Sequence, residues 1–250
     1  MTQPQTKTSI EIKEQKQFWN GWNTKYRVQN KNLPEANLRQ ASMVTQWMRG
    51  LNRNDLDILE VGCGSGWLCE QLLTFGEVTG TDLSDEVLAR AESSLQKIKF
   101  VAGDFLELDF ASSSFDVVVS LEVLAHVGNQ ALFLEKIARL LRPGGYLMLA
   151  TQNRFVLERW TGVPQRGASQ IRNWVDARSL KRLLQKSFEV SSITSIFPIG
   201  DIGILRWINA PKVNNALSLL MSPSRIEALK ERLFLGHTLM ALGRKRAEGR

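Results

Sequence analysis

The chain of 250 residues contains only two cysteines, Cys63 and Cys69. Two cysteines cannot supply the disulfide framework of a small secreted protein, and their spacing is not the CxxC of redox proteins, so reduced thiols are expected. No run of about 18 apolar residues is present, which excludes a membrane-spanning helix. Residues 1–16 lack the apolar core of a signal peptide, and we expect them to be disordered or loosely helical. These absences favour a globular, cytoplasmic protein.

Positive charge exceeds negative charge by +7, but the excess is unevenly distributed. Residues 51–130 hold 14 acidic and 4 basic residues, whereas residues 152–186 hold 8 basic and 2 acidic residues. An acidic segment suits a cationic or neutral ligand better than a phosphorylated one. The basic segment is expected to border the substrate or solvent.

A glycine-rich turn follows the first apolar strand of the chain. The predicted strand Leu56–Val61 leads into Gly62, Gly64 and Gly66, and a helix with apolar residues at helical spacing begins at once. Glycines allow positive φ and let a ligand approach the backbone closely. This arrangement predicts a nucleotide-binding entrance. The alternative is a plain tight turn.

An aspartate follows the second predicted strand, Glu77–Thr81. Asp82 lies 20 residues after Gly62, the distance at which an acid reaches the ribose hydroxyls of a bound nucleoside. A carboxylate can accept two hydrogen bonds from the cis-diol. The alternative is that Asp82 or Ser84 only caps a helix over 85–94.

A second acidic position follows the third predicted strand, Ile98–Ala102. Asp104 could accept a hydrogen bond from the amino group of an adenine, with Phe105 or its backbone beside the ring. The signal is weak on its own, because Gly-Asp is also a common turn pair.

Strands and helices alternate through the rest of the chain. The further predicted strands are Phe115–Leu121, Tyr146–Thr151, Phe188–Ile196 and 236–242. The predicted helices are 35–49, 85–94, 130–141, 176–186 and 224–233. This alternation predicts an α/β protein with a parallel sheet and right-handed crossovers.

Aromatic residues mark two segments that could cover a ligand. Phe18, Trp22 and Tyr26 share one helical face, which predicts either a helix packed by that face or a lid. Later in the chain, Trp160, Trp174, Phe197 and Trp207 could form a cap over an aromatic or lipid-like molecule, or bury a core of their own. An amphipathic stretch near 202–221 could also rest on a membrane surface.

Five motifs in order resemble the class I S-adenosylmethionine-dependent methyltransferases. They are Leu59–Gly66, Thr81-Asp82-Leu83-Ser84, Gly103-Asp104-Phe105, Phe115–Val127 and Leu140–Gly145. Within that class the chain looks most like the small-molecule enzymes related to the ubiquinone-biosynthesis O-methyltransferases. The resemblance implies a doubly wound α/β fold with a seven-stranded sheet of order 3-2-1-4-5-7-6, strand 7 being antiparallel. Residues 1–50 would form a helical lid, and 51–250 the methyltransferase domain, with cap insertions at about 152–175 and 197–233.

The resemblance also implies roles for the matching positions in binding S-adenosyl-L-methionine. Gly62, Cys63, Gly64 and Gly66 would bring the backbone against the methionine part of the cofactor, and Glu60 would support its amino group. Asp82 would bind the ribose hydroxyls, with Leu83 against the adenine. Asp104 and Phe105 would hold the adenine, and the Leu121 carbonyl would receive the ammonium.

His126 is the best candidate for a general base, since it follows the fourth strand near the expected methyl group and titrates in a suitable range. The alternative is a histidine that only hydrogen-bonds backbone beside the cofactor. His237, in the predicted last strand, is expected to be structural. Some relatives carry Glu-x-x-Glu-His here and can bind a metal, but this chain has Glu122 and His126 without the second acid. We therefore expect no metal.

The sequence thus predicts methyl transfer to the oxygen or nitrogen of a small, aromatic or apolar metabolite. A peripheral membrane contact is compatible with this function, and the oligomeric state is left open. The alternative is an RNA methyltransferase or a non-catalytic nucleic-acid-binding protein that uses the basic segment 152–186. An NAD-dependent dehydrogenase is a weaker alternative, because its glycine spacing differs and a pyrophosphate would lie poorly in an acidic half.

Overall fold

The computed structural model describes residues 7–25, 33–161, 170–198 and 203–246. Seven strands form one sheet, with the order β3-β2-β1-β4-β5-β7-β6. The strands are β1 Leu56–Val61, β2 Gly76–Asp82, β3 Lys99–Ala102, β4 Phe115–Leu121, β5 Leu141–Gln152, β6 Phe188–Ile196 and β7 Thr238–Lys245. The pairs among β1 to β5 are parallel, and β7 runs antiparallel to both β5 and β6. The predicted order and the antiparallel seventh strand are confirmed.

The described part of the chain includes ten α-helices and two short 3₁₀ segments, Leu73–Phe75 and Leu124–His126. The helices are α1 Lys7–Asn23, α2 Glu35–Gly50, α3 Trp67–Leu72, α4 Asp85–Ser94, α5 Gln130–Leu140, α6 Arg154–Trp160, α7 Ala177–Leu184, α8 Gly203–Ile208, α9 Pro211–Ser218 and α10 Pro223–Arg232. Among these helices, none combines the length and the apolar character needed to cross a bilayer.

Helices cover both faces of the sheet because alternate strand residues bury in opposite directions. Leu59 of β1 belongs to a core that includes Ile137 of α5 and Leu180 of α7. The next residue back, Ile58, belongs to a second core with Val44 of α2. Apolar runs buried on both faces therefore determine the three-layer architecture.

Several predicted boundaries needed correction. Residues 7–16 are helical, which was one of the two alternatives, because they belong to the continuous helix α1 that packs against α4. Strand β5 begins at Leu141, before the predicted Tyr146, since Phe115 of β4 pairs with it across a register irregularity. Strand β7 lies two to three residues further along than expected, at Thr238–Lys245, where both neighbouring strands pair with it.

Candidate functional site

The glycine turn between β1 and α3 is built by backbone conformation. Gly62, Gly64 and Gly66 have φ values of +77°, +54° and +74°. A Cβ at Gly62 would lie 2.1 Å from Cγ2 of Val123, and one at Gly66 would lie 2.9 Å from Cδ1 of Leu95. Side chains are therefore excluded at both positions by left-handed backbone and by close neighbours.

Asp82 connects this turn to the end of β2. Its Oδ2 accepts a hydrogen bond from the N–H of Gly64 at 2.8 Å, and its Oδ1 accepts one from the N–H of Ser84 at 2.8 Å. Burial raises the pKa of Asp82, and the backbone donors oppose that rise. Each carboxylate oxygen keeps a second lone pair, so Asp82 can still accept hydrogen bonds from a ligand.

Glu60 lies deep beneath the turn and is 2% exposed. Its Oε2 accepts a hydrogen bond from the thiol of Cys69 at 2.9 Å, and burial raises its pKa to about 8. Cys63 is also buried, with its Sγ 2.9 Å from where a Cβ would stand on Gly80. A positive group brought beside Glu60 would favour its ionised form.

A cavity of about 940 Å³ opens at the carboxyl ends of β1, β2, β4 and β5. Its lining includes ten of the eleven predicted site residues, namely Glu60, Gly62, Cys63, Gly64, Asp82, Leu83, Asp104, Phe105, Leu121 and His126. Gly66 is the exception, because it precedes α3 and packs against Leu95 and Phe100 instead. Ligands of open α/β sheets bind at this edge.

Phe105 and Asp104 occupy the adenine side of the predicted site. Phe105 is only 7% exposed, and its ring meets the ring of Phe133 edge-to-face at 5.2 Å. Asp104 Oδ1 accepts a hydrogen bond from the N–H of Leu106 at 3.0 Å. The ring of Phe105 therefore belongs mainly to the core, and its backbone is the part better suited to contact a ligand.

The cavity is acidic. Five carboxylate residues line it, Glu60, Asp82, Asp104, Glu107 and Glu122, against a single arginine, Arg172, among the described residues. Within the same described part of the chain, no group of three or more His, Cys, Asp or Glu side chains could hold a metal ion. These acids suit an organic cation, which would favour their ionised forms, better than an anion.

His126 lies after β4, at the end of the short 3₁₀ segment Leu124–His126. Its Nδ1 lies 2.7 Å from the carbonyl oxygen of Ile171, and burial lowers its pKa. If Nδ1 carries the hydrogen and donates it to this carbonyl, Nε2 of the neutral ring is left as an acceptor. Trp19 of α1 packs edge-to-face on His126, with ring centroids 4.8 Å apart.

Several residues that no sequence motif marks line the same cavity. They come from distant segments and include Gln15 and Trp19 of α1, Gln40 of α2, Gln152 of β5 and Thr238 of β7. His237, which was expected inside the last strand, precedes it and also lines the cavity, and burial lowers its pKa. In the sequence, the only sign that any of these residues line the cavity is that Gln152 and Thr238 stand at the ends of strands.

The predicted cap residues are dispersed. Trp174 is 9% exposed and lines the cavity, whereas Trp207 on α8 is 73% exposed. Phe197 is partly buried, and the side chain of Trp160 lies outside the described residues, as does Tyr26 of the predicted aromatic face. Among the described residues of 197–233, none belongs to the cavity lining.

Residues 59–149 match the family model described as a methyltransferase domain. Residues 59–149 therefore form a methyltransferase domain. The matched residues include the glycine turn, Asp82, Asp104 and His126, so the methyltransferase domain contains all ten predicted site residues that line the cavity.

Curated relatives agree with this assignment over the same part of the chain. The ubiquinone biosynthesis O-methyltransferase of Mesorhizobium japonicum is 34% identical over 125 residues, which are 48% of this chain and 49% of the relative. The corresponding protein of Sinorhizobium medicae is 31% identical over 157 residues, 57% of this chain and 63% of the relative. The chain thus spans about half to two thirds of the length of these relatives.

Solved structures resemble the chain in fold over more residues than the sequence matches cover. A 1,6-didemethyltoxoflavin N1-methyltransferase from Burkholderia thailandensis, crystallised with bound 1,6-didemethyltoxoflavin and S-adenosylhomocysteine, has a TM-score of 0.63 at 18% identity, covering 99% of this chain and 94% of that one. At such identities the comparison supports architecture alone, since one fold hosts many functions.

Proposed function

We propose that the chain transfers the methyl group of S-adenosyl-L-methionine to an oxygen or nitrogen atom of a small, aromatic or apolar molecule. The observation that carries this proposal is the continuity of the cavity. Its lining runs from Asp82 and the glycine turn to His126, Glu122 and Trp174. A methyl donor held at the first end and an acceptor held at the second would meet within one enclosure, and alignment of reactants is the main demand of the reaction.

The residues of the first end fit the cofactor. Gly62 and Gly64 would admit its methionine part to the backbone, Glu60 would support its ammonium, and the Leu121 carbonyl would accept a hydrogen bond from it. Asp82 would bind the ribose hydroxyls, beside Leu83. The cofactor supplies an activated methyl group on a positively charged sulfur, a charge that suits the acidic lining.

At the acceptor end we assign His126 to the removal of a proton from the acceptor. The lowered pKa of His126 supports this role, because the neutral ring has a free lone pair when the site is ready for reaction. The hydrogen bond with Ile171 holds the ring in one orientation. The Trp19 ring above it would limit the entry of water.

We also propose that α1 acts as a lid. Lys16 pairs with Asp85 at 2.6 Å, and the Asn20 side chain interacts with both Asp85 and Ser84. These contacts join α1 to the start of α4 through the half-exposed pair Lys16 and Asp85, which is individually weak, and through Ser84, which is buried. The helix covers the cavity with Trp19, which is the position of a lid.

We further propose that α8 and α9 contact an anionic membrane surface. Trp207, Leu219 and Leu220 are 73%, 86% and 82% exposed. Residues 203–225 contain no acidic residue and carry Arg206, Lys212 and Arg225, which are exposed. Exposed large apolar side chains beside basic ones are typical of surface-bound amphipathic segments.

The alternative of RNA binding through residues 152–186 stays a prediction. One of its arginines, Arg154, is engaged by Asp176, and Arg172 lies over the ring of Trp174 at the cavity. These engagements reduce the basic side chains of the segment that are available to phosphates.

The proposed function is tested by titrating the purified protein with S-adenosyl-L-methionine and S-adenosylhomocysteine in a calorimeter. Asp82→Ala is expected to weaken binding by about 1–3 kcal/mol, or roughly 5- to 150-fold. Asp109→Ala, at an exposed position outside the cavity, is the matched control and is expected to bind normally. Absence of saturable binding by the unmodified protein would overturn the proposal, and equal affinity of Asp82→Ala would overturn the role of that carboxylate.

A further inference from the structure

Three buried side-chain oxygens at the acceptor end of the cavity have no hydrogen-bond donor within the described structure. They are Oε2 of Glu122, Oε1 of Gln40 and Oε1 of Gln152. All three residues line the cavity. A buried acceptor without a donor is unfavourable, so three at one place require an explanation.

The three side chains form one connected group. Gln40 Nε2 donates to Glu122 Oε1 at 2.6 Å, and the hydroxyl of Thr238 donates to the same oxygen at 2.9 Å. Gln152 is the direct antiparallel partner of Thr238 in the β5–β7 ladder. Oε1 of Glu122 therefore accepts two hydrogen bonds, whereas Oε2 has no donor within the described structure.

The backbone at Glu122 is held in an unfavourable conformation. Its φ is +62°, in the left-handed region that is unfavourable for a residue with a Cβ. The N–H of Glu122 donates to the carbonyl of Ala150 at 2.9 Å, which fixes this conformation against β5. Strain of this kind is retained mostly where it orients a functional side chain.

The chemistry of the group excludes two kinds of occupant. A carboxylate or phosphate would place further acceptors against unpaired acceptors and is therefore disfavoured. A metal ion is disfavoured as well, because no cluster of three or more ligating His, Cys, Asp or Glu side chains exists in the described parts of the chain. Hydroxyl and amine hydrogens are the complementary partners.

We propose that Glu122, Gln40 and Gln152 select an acceptor molecule that presents O–H or N–H groups and no anionic group at this end. The selection is a specificity function of side chains that the sequence motifs do not assign to the cofactor. It rests on the proposed function, since it assumes that the β4–β5–β7 end of the cavity receives the methyl acceptor.

The experiment compares three aromatic probes of one shape, 2-naphthol, 2-methoxynaphthalene and 2-naphthoate. Each is titrated by ligand-observed NMR at pH 8, where most Glu122 side chains are ionised, into the full chain saturated with S-adenosylhomocysteine. We expect 2-naphthol to bind at least fivefold more tightly than 2-methoxynaphthalene, and 2-naphthoate to bind weakest. In Glu122→Gln an NH₂ group can replace the unpaired oxygen, and the preference for 2-naphthol is expected to fall below twofold.

Two further variants keep the outcome interpretable. Gln152→Met replaces one hydrogen-bond acceptor by an apolar side chain of similar shape, and we expect an intermediate preference for 2-naphthol. Glu158→Gln, on the exposed side of α6, is expected to keep the full preference. S-adenosylhomocysteine affinity within twofold of the unmodified protein shows that each variant is folded. If the unmodified protein does not bind S-adenosylhomocysteine, the result contradicts the proposed function and not this inference.

Three results would overturn the inference while leaving the proposed function standing. They are equal affinity for 2-naphthol and 2-methoxynaphthalene, an unchanged preference in Glu122→Gln, and no binding of 2-naphthol at millimolar concentration by protein that still binds S-adenosylhomocysteine. In each case ordered water, and not the acceptor molecule, would be the partner of these oxygens.

Discussion

The indole of Trp19 lies edge-to-face against the imidazole of His126, with the ring centroids 4.8 Å apart. The two residues are more than a hundred positions apart in sequence and belong to α1 and to the turn after β4. This contact joins the N-terminal helix to the proposed proton acceptor, and it makes the helix part of the cavity wall.

Trp19→Ala is therefore expected to weaken S-adenosylhomocysteine binding, because it removes the aromatic cover of a cavity that the ligand shares. Burial of an aromatic ring of this kind contributes about 1–2 kcal/mol, which corresponds to roughly five- to thirtyfold in affinity. Calorimetric titration measures the change. Trp207→Ala removes a tryptophan outside the cavity lining, and equal losses in both variants would contradict the covering role of Trp19.

The stability of the ligand-free protein is expected to fall as pH rises from about 4.5 to 7. Burial raises the pKa of Glu122 to about 7 from its usual value of 4.5, so its ionised form is disfavoured in the folded protein. A folded pKa above the unfolded one costs stability once the unfolded chain ionises, and the cost is complete above the folded pKa. For Glu122 alone it amounts to about 3 kcal/mol.

Glu122→Gln removes this cost, so the variant should be more stable than the unmodified protein at pH 8 and similar to it at pH 4.5. Urea denaturation at the two pH values gives the free energies of unfolding. Glu158→Gln, which changes an exposed glutamate of α6, should follow the unmodified protein. A Glu122→Gln curve parallel to that of the unmodified protein between the two pH values would show that Glu122 titrates normally.

Cofactor binding is expected to release protons near pH 7. Glu60 is buried and its pKa is raised to about 8, so most molecules carry a protonated Glu60 at neutral pH. An ammonium group bound nearby would lower that pKa and expel the proton. Calorimetric titrations in buffers of different ionisation enthalpy detect the release. Glu60→Gln should abolish it, and identical heats in all buffers with the unmodified protein would exclude an ammonium beside Glu60.

Gly62→Ala is expected to destabilise the fold by about 2–4 kcal/mol, through a strained φ and a clash with a core neighbour. Its Cβ would lie 2.1 Å from Cγ2 of Val123 at a φ of +77°. Gly50→Ala, where nothing lies within 4 Å, is expected to be neutral or slightly stabilising. Thermal unfolding compares the two, and adding Val123→Ala to Gly62→Ala should recover part of the loss. Equal melting temperatures for both single variants would refute the steric argument.

Trp207 of α8, with Leu219 and Leu220 just after α9, is expected to bind vesicles that contain anionic lipid. The full chain should co-sediment with vesicles of one third phosphatidylglycerol, and replacing Trp207, Leu219 and Leu220 by serine should reduce the bound fraction severalfold. Serine at Leu38, another exposed apolar position, is the control. No sedimentation of the unmodified chain, or sedimentation unaffected by the triple change, would remove the membrane contact.

The sequence by itself determined the chain's alternation of strands and helices, because apolar period, glycines and helix caps are local properties. It also placed Asp82 and Asp104 at strand ends, and parallel strands bring such ends to one edge. The strand order came from a family resemblance, since pairing depends on contacts between residues far apart in sequence. Boundaries such as the start of β5 were missed because pairing with neighbours extended the strand beyond its local signal.

Only the tertiary structure decided what surrounds the acceptor end of the cavity. Gln40, Gln152 and Thr238 carry no motif, and each is an ordinary polar residue until folding brings it to Glu122. The oxygens left without donors, the raised pKa of Glu122 and the Trp19 ring over His126 are properties of packing. They arise because desolvation and the supply of hydrogen-bond partners are set by neighbours from several elements, which a linear pattern does not encode.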